Sequence, residues 1–188
     1  MLPKIRHLLV CTDFSRTSWQ ALTYGASIAK CAKAKMTLLH VLPTMPQEFA
    51  YSGVSNLFDF GPGLAGVPPL FPASEKKGRR SQEKYPGEFV EKAENMTKDQ
   101  LRSHLMQLKA EESEYNWQSV ELQVRMGEPV RGILQELESD KYDVVVIGRR
   151  GHGKTRNDRS GGVAREIINS AGIPVFVVDK HPRSSRFM

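Results

Sequence analysis

The segment Gly148-Arg149-Arg150-Gly151-His152-Gly153-Lys154-Thr155, followed by Ser160-Gly161-Gly162-Val163, combines close-set glycines with a run of cations. Glycines let a backbone approach phosphate oxygens that a Cβ would hold off, and the free amides of a helix start point at such an anion. Lys154, Arg156 and Arg159 add cationic reach, so the segment suits a polyphosphate. The competing reading is an exposed glycine loop with no ligand. A second segment, Thr12-Asp13-Phe14-Ser15, places a carboxylate where a ribose hydroxyl or an adenine amine could donate to it. Asp13 could equally shape a turn and complement a helix N-terminus, which acidic residues do routinely.

Gly148 to Thr155 also satisfies the P-loop pattern G-x-x-x-x-G-K-[ST], and VFVVD ending at Asp179 imitates a Walker B strand. A P-loop needs its helix to begin at the Lys-Thr pair, yet RNDRSGG follows, and its Asn, Asp, Ser and glycines are poor helix formers. The match lies on the penultimate strand, which leaves no room for switch and base-reading elements. An NTPase of that kind is the weaker reading.

These segments need elements to position them. His7 to Cys11 reads as a buried strand, and Ser15 caps a helix with Trp19, Leu22, Ala26 and Ala29 on one face. Met36 to Leu42 is a second continuous apolar strand, ended by Pro43. Glu88 to about Ser113 is a helix with Val90, Ala93, Leu101, Leu105 and Leu108 in a stripe, and Val120 to Arg125 alternates like a strand. Gly127-Glu128-Pro129 opens a third helix with Val130, Ile133, Leu134 and Leu137 on one face. VVVIG at 144–148 is the most apolar strand, Val163 to Ser170 a short helix stopped at Gly172, and Pro174 to Val178 the last strand. Continuous apolar strands alternating with helices require a parallel sheet covered on both faces, so a doubly wound, Rossmann-like α/β fold with a five-stranded parallel sheet is expected. In such sheets ligands bind beyond the carboxyl ends of the strands, where the strand order reverses. Both chemical segments fall in that class of position.

A chain of 188 residues suits one core, so residues 1–180 are read as one domain. From Pro43 to about Gly87 a long irregular insertion carries Gly-Pro-Gly at 61–63, Pro68-Pro69, KKGRR at 76–80 and scattered aromatics. A basic tail occupies 181–188. The insertion reads as a surface excursion or as a lid or docking segment. A net charge of +6 favours an anionic partner, but no nucleic-acid-binding module accompanies it. Cys11 and Cys31 have no metal-ligand spacing and read as buried, reduced thiols. The opening MLPKIRHLLVCTDFS has only a four-residue apolar run, giving neither a secretory signal nor a membrane span, so a cytoplasmic location is expected by elimination.

Together these segments resemble the universal stress protein family, whose ATP-binding members carry G-x2-G-x9-G-[S/T] before their last helix. Gly148, Gly151 and Gly161 match at that spacing, as do LLVCTDFS, LLHVLP, Gly127 with Pro129, and the closing IPVFVV. The resemblance implies an adenine nucleotide alpha hydrolase-like fold, ATP (or ADP or AMP) as ligand with Mg²⁺ accompanying ATP, a homodimer, and a regulatory protein partner that the sequence does not identify. It places Thr12, Asp13 and the backbone of Val41 at the adenosine end with Met126 and Gly127 near it. Gly148, Arg150, Gly151, His152, Gly161, Gly162 and Val163 then surround the phosphates. One residue departs: Gly162 stands where the family has Ser or Thr, removing a hydroxyl from the phosphate end.

The segments hold no activated nucleophile, and His152 is the one general-base candidate in the loop. A nucleotide-binding stress-response regulator is therefore the leading function, with slow ATP hydrolysis at most. A same-fold interaction module without nucleotide is the alternative. The open edge of the last strand, Pro174 to Val178, is the expected dimer contact.

Overall fold

The computed structural model describes residues 3–42, 87–111, 115–151 and 162–179. The expected insertion, except Gly87, and the expected basic tail lie outside the described residues. In chain order the elements are β1 (His7–Thr12), α1 (Arg16–Ala32), β2 (Lys35–Leu42), α2 (Gly87–Glu111), a 3-10 turn (Trp117–Ser119), β3 (Glu121–Met126), α3 (Pro129–Leu137), β4 (Val144–Gly148), α4 (Gly162–Ser170) and β5 (Val175–Val178).

All five strands pair in parallel in the order β3-β2-β1-β4-β5. The period-2 alternation of side chains separates two apolar layers. Leu8, Val10, Met36, Leu38 and Val146 face α1 and α2, whereas Leu9, Cys11, Leu39, Val145 and Ile147 face α3 and α4. Both faces of the central strands are thus covered, which is why their sequences are continuously apolar. α2 buries Ala93, Thr97, Leu101, Leu105 and Leu108: of the expected stripe Val90 is only half-buried, and a threonine whose hydroxyl donates back to the Ala93 carbonyl joins it.

Local chemistry fixes the helix ends. Ser15 caps α1 by accepting from the Ser18 amide at 3.2 Å, and Lys33 ends it in the left-handed region at φ 54. Glu128 caps α3, accepting from the amides of Val130 and Arg131, with Pro129 next to it in the first turn. Gly172, at φ 66, follows α4 as expected.

α3 also carries a buried carboxylate. Glu136 is satisfied by Arg125 Nε at 2.7 Å and the Tyr142 hydroxyl at 2.7 Å, which ties α3 to β3 and to the approach of β4. The reading of both cysteines as buried is corrected for one of them: Cys11 is buried, but Cys31 is exposed. It lies two residues, about 200°, around α1 from the buried Ala29, on the face turned from the sheet.

Candidate functional site

The chain lays down β1, β2 and β3 in one direction, then crosses over to β4 and β5 on the other side of β1. The strand order reverses between β1 and β4, and the residues leaving these two strands meet there. This is the crevice in which open α/β sheets bind ligands.

Beyond β1 the chain makes a tight, fully bonded turn. Thr12 Oγ1 accepts from the Phe14 amide at 3.1 Å and Asp13 Oδ1 accepts from the Ser15 amide at 3.0 Å. Phe14 takes up φ 62, a left-handed conformation unusual for a bulky residue. Asp13 therefore shapes the turn, as one of its two readings expected. Its other oxygen, Oδ2, faces β4, where a Cβ built on Gly151 would collide with it.

Beyond β4, Gly148 is needed for close approach. A Cβ there would sit 2.9 Å from the Ser18 amide nitrogen and 3.0 Å from the Thr17 carbonyl carbon, so the first turn of α1 packs directly on the strand end. The Arg149 amide donates to Val178 at 2.7 Å, and its guanidinium pairs with Asp179 at 2.6 Å. The carbonyl of Arg150 turns inward and accepts from the Thr17 hydroxyl, with the Ser15 hydroxyl further off at 3.5 Å.

Along the same carboxyl edge, Val41 and Met126 lie near the ends of the paired strands β2 and β3, and the Gly127 amide donates to the Leu42 carbonyl at 2.8 Å. Gly127 has φ 141, where glycine is favoured. The Val41 side chain packs against Gly132 of α3, which leaves its backbone as the group at the edge. Gly162 and Val163 begin α4; Gly162 is exposed, and a Cβ there meets no described atom within 4 Å. The structure thus brings Thr12, Asp13, Gly148, Arg150 and Gly151 together, with Val41, Met126 and Gly127 at the neighbouring strand ends. His152 and Gly161 lie outside the described residues, as do Lys154, Arg156, Arg159 and Ser160.

Two groups at the site went unread in the sequence. His40 is buried on β2, and because a carbonyl only accepts, its Nδ1 must carry the proton that it donates to Thr12 O at 2.8 Å. Burial lowers its pKa, opposed by the Thr12 carbonyl and Asp13. Phe14 lies 4.6 Å from its ring and 5.0 Å from His104 of α2, whose pKa burial also lowers. A histidine inside the apolar run LLHVL was the available signal. The second group is a hydroxyl cluster of Thr12, Ser15, Thr17 and Ser18, of which only the Ser15 cap was legible.

Comparison with known proteins agrees with the fold. A model described as the universal stress protein family matches residues 4–56 and 73–179. No curated protein matches the chain. Among solved structures, a universal stress protein from Lactobacillus plantarum is similar at 17% identity, covering 94% of this chain and 99% of its own, with a TM-score of 0.62. The hypothetical protein MJ0577 is similar at 17% identity, with 96% and 100% covered and a TM-score of 0.59. A universal stress protein in complex with cAMP is similar at 18% identity, with 94% and 98% covered and a TM-score of 0.51. At these identities the structures establish a shared fold.

Proposed function

The chain belongs to the universal stress protein family, and from that premise we propose that it binds an adenine nucleotide at the β1–β4 crevice as a stress-response regulator. The observation that carries this reading is the meeting of Asp13 with Gly151 across the strand-order reversal, which joins the two chemical segments into one site. Asp13 and the backbone of Val41 would hold the adenosine, with Thr12, Met126 and Gly127 beside it. Gly148, Arg150, Gly151, His152, Gly161, Gly162 and Val163 would receive the phosphates of ATP, ADP or AMP, with Mg²⁺ accompanying ATP. The exposed Gly151 and the start of α4 at Gly162, where a Cβ meets no described atom, fit a backbone cradle for an anion. Bound nucleotide supplies charge and shape for a partner protein to read.

The loss of a hydroxyl at Gly162 favours one competing reading, an interaction module of the same fold without nucleotide. Calorimetry with ATP, ADP, AMP and cAMP, the last because a structural relative is a complex with it, decides between them. Micromolar binding of at least one supports the proposal, and no heat or thermal shift with any of the four overturns it. No helix among the described residues is long and apolar enough to cross a membrane, and we place the protein in the cytoplasm. We also propose a homodimer through β5. That strand is at the sheet edge, and Phe176 and Tyr24 are exposed beside it with rings 6.0 Å apart. A monomeric mass by light scattering at high concentration would contradict that.

A further inference from the structure

The Thr17 hydroxyl donates to the carbonyl of Arg150 from a position that is 2% exposed. Thr17 stands in the first turn of α1, where a threonine hydroxyl has no helical carbonyl four residues back to bond. It reaches across to the β4 loop instead. Its fixed surroundings leave it little freedom: Ser15 Oγ lies 3.1 Å away, Ser15 and Ser18 are themselves buried, and the α1 backbone is pressed on Gly148.

The consequence follows from peptide geometry. The described chain has no cis peptide bond, and in a planar trans unit the C=O and the N–H point in opposite directions. The carbonyl of Arg150 and the amide of Gly151 belong to one such unit. With the carbonyl drawn inward to Thr17, the Gly151 N–H must face away from α1, on the side where Arg150 and Gly151 are exposed. Rotating the unit by half a turn would present the carbonyl there, and its negative end would repel an anion.

We infer that Thr17 is a positioning residue of the anion subsite: it touches no ligand, but it holds the Arg150–Gly151 peptide with its N–H toward the phosphate. The inference rests on the nucleotide reading above for its biological meaning, though not for its test. The effect should be confined to ligands that carry phosphate. An anchor that only stabilised the fold would change affinity for adenosine and AMP alike.

The test uses the full chain with Thr17→Val, which keeps the shape and removes the hydroxyl, and Thr17→Ser, which restores it. AMP affinity is expected to fall about ten-fold in Thr17→Val, the worth of one hydrogen bond to a charged group, and to recover in Thr17→Ser. Adenosine affinity should stay within about two-fold, since its contacts are unchanged. In parallel, the Gly151 amide resonance is followed during titration with sodium pyrophosphate. It should shift in the wild type and in Thr17→Ser, and not in Thr17→Val. Equal losses for adenosine and AMP, or no loss for either, would overturn the inference. If the wild type binds no nucleotide while pyrophosphate moves Gly151 in the wild type and not in a folded Thr17→Val, the functional reading fails and the inference stands; a shift undiminished in Thr17→Val overturns it. A wild-type Gly151 amide indifferent to pyrophosphate overturns the inference, whether or not Thr17→Val folds.

Discussion

His40 Nδ1 lies 2.8 Å from the carbonyl oxygen of Thr12, its register partner on the neighbouring strand. A buried, neutral imidazole therefore holds the strand end from which the Asp13 turn departs, and packs on the left-handed Phe14. This arrangement tolerates no proton on Nε2 without burying a charge.

Stability should accordingly fall in mild acid. His40, His7 and His104 all have pKa values lowered chiefly by burial from a reference of 6.5. Between that value and the lowered one the unfolded chain binds more protons than the folded chain, so the stabilisation is present above 6.5 and is lost as pH falls below it. The melting temperature should be flat from pH 8 to about 7 and drop towards pH 5.5. His40→Asn, whose amide can still donate to Thr12, should shrink that drop. A profile unchanged by the substitution would remove His40 from the account.

The two cysteines should differ in reactivity. Burial pushes the Cys11 thiol up to about 12, while Cys31 is exposed on α1. Because the thiolate is the reactive form, a thiol reagent should label one site per native chain, Cys31→Ser should abolish it, and denaturant should release the second. Two fast sites in the native protein would contradict the packing of β1 against α3 and α4.

The fold was legible because its period was unambiguous. Met36–Leu42, apolar but for Thr37 and His40, and the run Val144–Ile147 have no polar face, as a parallel strand covered on both sides requires. Element ends moved by one or two residues: α2 spans Gly87–Glu111, not 88–113, and β3 spans Glu121–Met126, not 120–125. The turn at Trp117–Ser119 and the φ of Phe14 were not read from the sequence; Phe14 packs on His104, a contact between distant segments, whereas Trp117 packs on the nearby Tyr115. The exposure of Cys31 could have been read by extending the stripe of Leu22, Ala26 and Ala29 around the helix. At the candidate site, residue types singled out Asp13 and the glycines as candidates, but the Thr17 to Arg150 bond joins positions 133 apart, and no spacing rule reports it.

The two motif glycines should separate stability from binding. Gly148→Ala places a methyl group 2.9 Å from a backbone nitrogen that cannot yield, and should cost about 1–3 kcal/mol in urea melts. Among the described atoms Gly151→Val meets the Asp13 carboxylate, a side chain that can turn aside where a backbone cannot, so the melt should fall less than in Gly148→Ala. AMP affinity should fall by about ten-fold or more, because the branched side chain blocks the amide that the phosphate would approach. A folded Gly151→Val protein with undiminished affinity would refute the placement of the phosphates.

Gly162→Ser should tighten binding of ATP or AMP by about 0.5–1.5 kcal/mol, the net worth of a typical hydrogen bond. Residue 162 is the first of α4, so a hydroxyl there joins the free amides of the helix start where an anion would be met. A Cβ there meets no described atom within 4 Å, so serine displaces none of the described residues. Serine also costs less backbone entropy than glycine on ordering, which should raise the melting temperature slightly even without ligand. The two effects can be told apart, since the entropic one appears in the apo protein and the other only in the difference between AMP and adenosine. If the variant melts higher while AMP gains nothing over adenosine, the hydroxyl does not reach the phosphate and Ser160 is the next donor to remove. Should AMP binding weaken in a folded variant, the start of α4 needs glycine to admit the phosphate, and its departure from the family pattern is an adaptation of the site rather than a loss from it.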